Sequence, residues 1–482
     1  MTDVTVVGSG PNGLAAAVTM ARAGLSVQVL DTAPTAGGGT RTQELIRPGH
    51  FHDVCSAVHP MALAAPFFRA FGLAERIRLT IPEASYAQPL DGGRAAVAYR
   101  SLERTILGLG PDGQAFGALM RPLVQHSEAI TALLMNPLLS LPPRNPAAAL
   151  RFGLAALEQG SPAWNRRFSG DAAPALLTGV MAHPVGRLPS LPSAGGGLLL
   201  ALLAHTVGWP IPEGGSQAIA GALVADLREH GGDLETGHRV TSLAEVAGSR
   251  AVILDTSPAG LLRLAGDRLP ARYARRLANF RYGNAACKVD YILSGPVPWS
   301  NPEVAAAGTV HLGGTRAETA ASEAEVAAGR HPEHPYVLLS QPSSFDASRA
   351  PEGRHVLWSY CHVPAGSERD MTGAVTAQIE RFAPGFRDLI VDSQATTAAG
   401  LAAYNENYVG GDFGAGAVTL PQMIRRPVAS RAPWGTPVPG VYLCSASTPP
   451  GPGVHGMGGY HAASLALRQV FGLPVPDLAP AR

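Results

Sequence analysis

The sequence has few cysteines, and their spacing excludes several kinds of chemistry. The four lie far apart among 482 residues, at Cys55, Cys287, Cys361 and Cys444, and none belongs to a CxxC pair. A dithiol redox centre and the common zinc sites both need closely spaced ligands, so we expect neither. Scattered cysteines and the lack of a secretory leader before the first apolar strand indicate a reducing, cytoplasmic location.

Long hydrophobic runs and an excess of charge are also absent. The longest apolar runs, such as 198–204, are far shorter than the roughly 20 residues of a membrane-spanning helix. The net charge is +1, and no basic stretch is interleaved with aromatic residues. We therefore expect no integral membrane segment and no nucleic-acid partner, while peripheral contact with a membrane stays open.

Lysine is the scarcest charged residue, because Lys288 is the only one among 37 basic residues. Arginine is bulky, planar and always charged, whereas lysine is slender and its pKa falls on burial. In a chain that otherwise uses arginine, a retained lysine is either a chance survival or a site where arginine cannot act. Lys288 lies inside an apolar strand pattern over 285–293, which makes it a candidate functional residue.

The first thirty-one residues have the pattern of a dinucleotide-binding unit. An apolar strand is followed by the turn GSGPNG, an alanine-rich helix and a second apolar strand that ends at Asp31. Gly8 permits the tight turn, Gly10 lets a pyrophosphate approach the backbone, and Gly13 lets the helix lie close to the strand. The helix amino terminus would bind phosphates and Asp31 a ribose diol. The predicted nucleotide contacts are Gly8, Gly10, Pro11, Asn12, Gly13 and Asp31.

A second glycine cluster, at 37–39, follows the ribose acid closely. A plain NAD domain has no need of it. FAD is longer, and its enzymes need a second stretch of bare backbone and a positive charge beyond the first phosphate site. Gly38, Gly39 and Thr40 would supply that backbone and Arg41 the charge, so the sequence predicts FAD.

A strand, a glycine-rich loop and a helix recur at the carboxyl end, over 440–444, 445–461 and 462–471. The amino end of this helix would place a positive dipole beneath the pyrimidine edge of the flavin, which carries negative charge when reduced. The predicted cofactor contacts in the loop are Ser445, Gly453, Val454 and Gly458.

Four separated motifs give the chain a family resemblance. They are GSGPNG with Asp31, EGGSQAIAGALVADLREHGGDLETGHRV, GNAACKVDYILSGPVPW and YLCSASTPPGPGVHGMGG. With these, the chain resembles the FAD-dependent phytoene desaturase and carotenoid isomerase superfamily, which is related to the flavin amine oxidases. It is most similar to the branch called pyridine nucleotide-disulfide oxidoreductase domain-containing protein 2, although it lacks the paired cysteines that this name suggests.

The resemblance implies an α/β fold with a Rossmann-type FAD-binding domain, of the glutathione-reductase-2 type, and an interleaved α+β substrate domain. We expect the FAD-binding domain to be built from segments 1–61, 205–260 and 396–482. The substrate domain would comprise a helical segment, 62–204, and a sheet segment, 261–395.

The loop 50–59 holds three histidines, an aspartate and a cysteine. Their spacing matches no common zinc pattern, so we predict no metal site. In the resembled family this loop passes over the working face of the flavin, which makes Asp53 and Ser56 predicted contacts to the flavin or its ribityl chain. Structural polar packing is the alternative for both. The family also brings the backbone of a strand ending at Val240 against the adenine.

The resemblance gives Lys288 a role, since flavin amine oxidases carry a lysine on a strand facing the isoalloxazine that holds a water near N5. We predict that Lys288 binds water or O2 near N5 and stabilises negative charge. Three histidines are further acid/base candidates, each with a structural role as the alternative: His455, His461 and His205.

Two features of the 62–204 segment allow a second interpretation. GLGPDG, at 108–113, is formally another GxGxxG, but no apolar strand leads into it and Pro111-Asp112 suits the start of a helix, so we predict no second nucleotide site. The apolar stretches 133–141 and 152–157 are either ordinary core or a membrane-docking face.

These patterns and the resemblance predict a phytoene dehydrogenase-like FAD-dependent oxidoreductase. It would move hydride between flavin N5 and a C–H bond of a hydrophobic, isoprenoid- or lipid-like substrate, with O2 or a quinone as electron acceptor. An amine oxidase is the alternative, because Lys288 is shared with those enzymes, and an FAD-binding scaffold without turnover is another. The cysteine that some amine oxidases use to attach flavin is missing from 453–461, so we predict noncovalent FAD, with His455 as the only nearby tether.

Overall fold

A parallel sheet and a larger mixed sheet organise the protein. The structure is a computed structural model that describes residues 2–138 and 143–480. In chain order the strands are β1 (Val4–Val7), β2 (Val27–Asp31), β3 (Thr42–Gln43), β4 (His52–Asp53), β5 (Leu79–Thr80), β6 (Ala84–Leu90), β7 (Arg94–Tyr99), β8 (Ile211–Pro212), β9 (Asp233–Thr236), β10 (Ala251–Leu254), β11 (Ala285–Leu293), β12 (Ala307–Leu312), β13 (Val337–Ser340), β14 (His355–Val363), β15 (Ile390–Thr396) and β16 (Val441–Leu443).

Helices connect the strands and cover the sheets. In chain order the α-helices are α1 (Pro11–Arg22), α2 (Pro60–Ala64), α3 (Pro66–Phe71), α4 (Leu73–Arg76), α5 (Leu102–Gly108), α6 (Gly113–Gln125), α7 (Ser127–Leu134), α8 (Pro146–Gln159), α9 (Ala172–Met181), α10 (Leu191–Ala204), α11 (Gln217–Glu229), α12 (Pro258–Ala265), α13 (Ala271–Ala278), α14 (Arg316–Ala327), α15 (Thr372–Phe382), α16 (Phe386–Leu389), α17 (Ala398–Tyr404), α18 (Leu420–Arg425) and α19 (Met457–Ala466). Short 3-10 turns join several of them.

The parallel sheet has the strand order β16-β10-β1-β2-β9. Its strands β16, β10, β1 and β2 are mostly apolar and buried, as expected for a sheet covered on both faces, whereas the edge strand β9 is polar and largely exposed. Helices α1, α11 and α19 pack together on one face. An apolar cluster with α12 covers the other. The carboxyl ends of β1, β2 and β10 therefore meet at one edge, where a doubly wound sheet binds its ligand.

The mixed sheet has the order β15-β11-β14-β13-β12-β6-β7, antiparallel except between β12 and β6. Side chains alternate between its faces, so Cys287, Val289 and Tyr291 enter one core cluster. Ala286 points to the opposite face, where it belongs to a cluster with Ala57, Tyr360 and Tyr408, and by strand alternation Lys288 shares that face.

Strands β6 and β7 correct the prediction that 62–204 is helical. They form a hairpin around Asp91-Gly92-Gly93 and join the mixed sheet through β12. Glycines with positive φ at 92 and 93 are typical of such a turn. The alanine-rich pattern of the flanking residues obscured this hairpin. The predicted domain boundaries themselves remain a prediction.

Two element bounds near the carboxyl edge also differ from prediction. The strand expected to end at Val240 ends at Thr236, and 237–250 is irregular. Helix α19 begins at Met457 rather than at 462. Two glycines in its first turn let it lie against α1, since a Cβ on Gly459 would stand 1.8 Å from the Asn12 carbonyl oxygen. The residues of GLGPDG end α5 and begin α6, which fits the helix start predicted at Pro111-Asp112, and α5 separates them from the strand β7.

Across the described residues, no helix combines the length and apolarity needed to cross a bilayer. Of the apolar stretch 133–141, residues 139–141 lie outside the described part of the chain.

Candidate nucleotide and substrate site

The glycine turn brings β1, α1 and β10 into close contact. A Cβ on Gly13 would lie 2.2 Å from the Gly8 carbonyl oxygen, and one on Gly10 would lie 2.5 Å from the Asp255 carboxylate. Gly8 has φ of 99°, which L-residues with side chains rarely adopt. Each glycine is therefore required by backbone geometry or by a close approach.

Asp31, at the end of β2, is held in place by its neighbours. Its Oδ2 accepts hydrogen bonds from the backbone N–H of Ser9 at 2.7 Å and from the Ser9 hydroxyl. Its Oδ1 accepts from the Ala33 N–H at 2.8 Å and contacts the Arg41 guanidinium at 3.4 Å. The acid thus stands at the carboxyl edge of the sheet in a fixed orientation.

Asp255, which follows β10, is a site residue that the sequence analysis missed. Its Oδ2 accepts a 3.0 Å hydrogen bond from the Gly13 N–H, so this amide at the start of α1 already has a partner within the protein. Burial, with a further contribution from the nearby Asp31 charge, raises the pKa of Asp255 to about 7, although the Gly13 and Gly10 amides oppose the shift. A carboxyl group with a pKa raised to about 7 therefore lies directly against the glycine turn.

The second glycine cluster lies directly against the first. A Cβ on Gly38 would stand 2.9 Å from the Gly10 Cα, and one on Gly39 would stand 2.8 Å from the Tyr408 hydroxyl. Arg41 donates to the Thr35 carbonyl at 2.8 Å and to the Tyr404 hydroxyl at 3.2 Å. Bare backbone and a fixed positive charge thus extend the glycine turn.

A continuous cavity of about 1090 Å³ runs from this turn to the helices of the 62–204 segment. Its volume is at the upper end of the roughly 300–1,000 Å³ of ordinary ligand pockets. The nucleotide end is lined by glycines, Asp31, Arg41 and Asp255. The far end is a chamber whose walls come from α7, α8, α10 and the mixed sheet, with the apolar side chains of Leu133, Leu134, Met135, Leu138, Ala149, Phe152, Ala156, Leu191, Leu199, Leu200, Leu338 and Trp358.

Most residues predicted to bind the cofactor line this cavity. They are Gly8, Gly10, Pro11, Asn12, Asp31, Gly38, Gly39, Thr40, Arg41, Ser56, Val240, Ser445, Gly453 and Val454. Gly13 and Gly458 do not, and both instead allow close packing. A Cβ on Gly458 would be 2.4 Å from the Cys444 carbonyl oxygen.

The structure disagrees with the predicted contact between Asp53 and the flavin, because the Asp53 carboxylate is buried away from the cavity. It accepts hydrogen bonds from Arg349 at 2.6 Å, Thr42 at 2.7 Å and the Ser216 N–H at 2.8 Å. Burial acts to raise the pKa of Asp53, but the Arg349 charge and these hydrogen bonds outweigh it and lower the pKa. Asp53 therefore links β4 to α11 and to Arg349. This structural role is the alternative that the sequence left open for Asp53.

The three candidate histidines are held in structural roles. His455 lines the cavity, yet its Nδ1 accepts from the Met457 N–H and its Nε2 donates to the Gly451 carbonyl, both at 3.0 Å. Burial lowers its pKa to about 4, so it is neutral near pH 7. His461 bonds the Met135 carbonyl and stacks on Trp434, and His205 bonds the Tyr99 carbonyl. Neither His461 nor His205 lines the cavity.

Lys288 lies behind the cavity wall rather than on it. It is 4% exposed on the cavity-facing side of β11, opposite Tyr360 of β14, which does line the cavity. Its ammonium contacts Asp290, whose other oxygen is 3.4 Å from His52. The ammonium therefore has a protein counter-ion, and its predicted contact near N5 remains a prediction that this geometry does not display.

Several cavity residues came from no sequence signal. Cys55 lines the cavity beside Tyr408, and burial raises the pKa of its thiol. His183 lines the chamber, with its Nε2 atom 2.9 Å from that of His311. Such pairs form only when distant segments meet, so a single sequence has no local pattern that marks them.

The fold and this cavity define a protein built on a Rossmann-like dinucleotide-binding domain. A family model described as an NAD(P)-binding Rossmann-like domain matches residues 6–71. The chain is 24% identical to pyridine nucleotide-disulfide oxidoreductase domain-containing protein 2 of Rattus norvegicus, over 97% of this chain and 94% of that protein. The resemblance to this branch that the motifs predicted is confirmed.

Solved structures share the whole architecture. An oxidoreductase from Methanosarcina mazei superposes with a TM-score of 0.54 at 15% identity, covering 96% of this chain and 99% of its own. Cyclohexylamine oxidase from Brevibacterium oxydans gives a TM-score of 0.56 at 15% identity, covering 97% and 98%. The predicted α/β class with a Rossmann-type domain is confirmed by these similarities.

Proposed function

We propose that the protein is an FAD-dependent oxidoreductase acting on a hydrophobic substrate. The observation that carries the proposal is the single cavity that joins the glycine turn to an apolar chamber. A dinucleotide at one end and an apolar molecule at the other would meet inside the protein, away from water.

The cofactor end fits FAD better than a shorter ligand. The bare backbone at Gly10 and Gly38 is continuous, and Arg41 and Asp31 stand beside it. Bound flavin would supply the two-electron chemistry at N5, while the protein supplies orientation and a dry cavity. We propose noncovalent attachment, because both ring nitrogens of His455 are already hydrogen-bonded and burial raises the pKa of the Cys55 thiol, which disfavours its reactive thiolate.

Dehydrogenation of an isoprenoid- or lipid-like substrate suits the chamber, whose walls are largely leucine, alanine and phenylalanine. A quinone or O2 would then reoxidise the flavin. Oxidation of an amine is the second candidate, because cyclohexylamine oxidase shares the architecture over nearly the whole chain.

Peripheral membrane contact is part of the proposal. Helix α8 turns Phe152 and Ala156 into the chamber, while Leu150, Leu154 and Leu157 on its other face are 64%, 57% and 55% exposed. An apolar helix face beside an apolar chamber would let a lipid-soluble substrate enter from a bilayer.

Anaerobic spectroscopy of the purified protein tests the proposal. We expect about one FAD per chain, released by acid precipitation, and bleaching of the oxidised-flavin band by apolar polyenes. Bleaching by amines alone would favour the second candidate, and bleaching by NADPH would indicate a reductase. A flavin reduced only by dithionite would support a scaffold, and absence of flavin would overturn the proposal.

A matched pair of glycine variants controls for cofactor occupancy. Gly38→Val inserts a side chain where a Cβ already meets the Gly10 backbone at 2.9 Å, whereas a Cβ on Gly221, in α11, meets nothing within 4 Å. We expect Gly38→Val to lose flavin and substrate-dependent bleaching together, and Gly221→Ala to retain both.

A further inference from the structure

Two buried polar side chains of the mixed sheet, Thr309 and Trp358, form what we call the floor of the apolar chamber. Thr309 of β12 and Trp358 of β14 both line the cavity and are 1% and 5% exposed. The Thr309 Oγ1 and Trp358 Nε1 atoms have no hydrogen-bond partner among the described residues. Leaving such atoms unpaired in an apolar environment is costly, so their persistence points to a ligand that satisfies them.

Strand register places these side chains on one surface. His311 of β12 pairs with Leu338 of β13, which pairs with Tyr360 of β14. Because alternate residues of a strand share a face, Thr309 lies on the same face as His311, and Trp358 on the same face as Tyr360. The floor is therefore a sheet surface on which Thr309 and Trp358 lie on the two strands that flank Ser340, while His311 and Tyr360 flank Leu338.

A pair of histidines extends this polar surface. The Nε2 atoms of His183 and His311 are 2.9 Å apart, so one must carry the proton and the other accept it. Burial lowers the pKa of His183 to about 3 and that of His311 well below its usual value, so both are neutral. A joint change of tautomer would let His183, on the chamber wall, face a ligand as donor or as acceptor.

The placement of acidic side chains along the cavity indicates the charge of the ligand. Among the described cavity residues the acids are Asp31, Asp255 and Glu406, and all lie at the nucleotide end. Glu406 is also paired with Arg239 and Arg263. The indole N–H of Trp358 can only donate, so it needs an acceptor that an ammonium group cannot offer.

We propose that the Thr309–Trp358 floor binds an uncharged oxygen, a hydroxyl or carbonyl, on an otherwise apolar substrate. This inference rests on the proposed function and narrows its substrate class. A protonated amine meets no carboxylate in this part of the cavity, and it has no lone pair with which to accept from the Trp358 N–H, so that donor would stay unpaired. To bind as a neutral base it would lose about three orders of magnitude in affinity at pH 7, given an ordinary alkylamine pKa near 10.4.

Three probes of one skeleton test the inference: tetralin, 2-tetralone and 2-aminotetralin, titrated calorimetrically into the purified holoprotein at pH 7. We expect 2-tetralone to bind about tenfold more tightly than tetralin, since each net hydrogen bond contributes about 2- to 10-fold, and 2-aminotetralin to bind the most weakly of the three. Equal affinities for all three, or tightest binding of the amine, would overturn the inference.

Conservative variants locate the effect. Thr309→Val and Trp358→Phe should each weaken 2-tetralone about 2- to 10-fold and leave tetralin unchanged. Tyr86→Phe is the matched control, because Tyr86 pairs with Thr309 on the neighbouring strand and also has an unpaired buried hydroxyl, but does not line the cavity. It should leave all three affinities unchanged; a loss equal to that of Thr309→Val would contradict the assignment.

Flavin content measured on the same samples separates this inference from the proposed function. If the protein carries FAD but binds the three probes equally, the inference is contradicted and the proposed function is not. If the protein carries no FAD, the proposed function is contradicted, and the order of probe affinities still tests whether the floor recognises an oxygen. If one variant fails to fold, the other variant and the wild-type ranking decide.

Discussion

At the scale of single residues, the sequence predicted those whose roles are local. Gly8, Gly10 and Asp31 belong to one strand-turn-helix pattern, so their place in the site followed from spacing alone. Asp255 was missed because it reaches the same turn from a strand more than two hundred residues away. His455 failed as an acid/base candidate for a related reason: only the folded loop shows that the Met457 amide and the Gly451 carbonyl occupy its nitrogens.

Asp255 should make FAD affinity depend on pH. Its pKa is about 7, so it is neutral in mildly acidic solution and negative in alkaline solution, where it would repel the pyrophosphate. We expect affinity to fall as pH rises through 7, by at most about tenfold per pH unit, and Asp255→Asn to flatten the profile. Titrating apoprotein with FAD and following flavin fluorescence between about pH 6 and 8.5 measures this. Parallel profiles for the two proteins would refute the assignment.

Gly13 should be essential to the fold of the turn. Alanine there would place its Cβ 2.2 Å from the Gly8 carbonyl oxygen, and overpacking of this kind costs about 1–3 kcal/mol or more in the free energy of unfolding. Gly221→Ala, in the open face of α11, should instead stabilise by about 0.5–1 kcal/mol. Urea denaturation of both variants measures the contrast, and similar stabilities would show that α1 can move away from β1.

At the scale of elements, the sequence predicted strands and helices wherever one pattern repeats over a whole element. The strands β1 and β2 are largely apolar, and both were predicted from the first thirty-one residues. The hairpin β6–β7 was missed because alanines weaken its alternation and its pairing partner, β12, is distant in sequence. The same applies to Asp53, whose role depends on α11 and residue 349.

The Asp53–Arg349 pair should stabilise the junction of these elements. Both side chains are fully buried, so Asp53→Asn leaves an unpaired guanidinium and should cost about 3–5 kcal/mol of unfolding free energy. Asp392→Asn, which breaks the exposed pair with Arg47, should cost less than about 1 kcal/mol. Thermal or urea unfolding compares the two.

The pH dependence of that stability has a definite sign. The pKa of Asp53 is lowered in the folded protein, so its contribution is present above the usual carboxyl pKa of 3.8 and is lost as pH falls through the lower folded value. The difference in unfolding free energy between Asp53→Asn and the unmodified protein should therefore disappear at strongly acidic pH. A constant deficit at every pH would contradict this account.

The exposed face of α8 should mediate membrane contact. Replacing Leu150, Leu154 and Leu157 together by serine should abolish co-sedimentation with vesicles of mixed zwitterionic and anionic lipids, because it removes the apolar face. Leu107→Ser is the control, since Leu107 is 82% exposed on α5 and does not belong to this face. Equal sedimentation of all three proteins would leave α8 with no membrane role.

At the scale of the whole molecule, the resemblance predicted what local patterns could not: an α/β fold with a Rossmann-type domain, which solved structures share over nearly the whole chain. The cavity wall includes residues from both sheets and from the beginning and end of the chain, so a cofactor held there would join these segments. Adding FAD to apoprotein at about 100 times its Kd should raise the unfolding free energy by about 2.7 kcal/mol. Scanning calorimetry checks this, and NAD at the same concentration is the control that should shift the transition less.

The strand order of the parallel sheet has a consequence for synthesis. Strand β1 needs β10, some 250 residues later, and β10 needs β16, which begins at residue 441. A nascent chain therefore exposes apolar strands for most of its time on the ribosome, and a transcript cut short before residue 441 yields a polypeptide lacking one edge of the sheet. We therefore expect the parallel sheet to be completed only at the end of synthesis, because its five strands are spread from residue 4 to residue 443, whereas the strands of the mixed sheet all lie within 84–396.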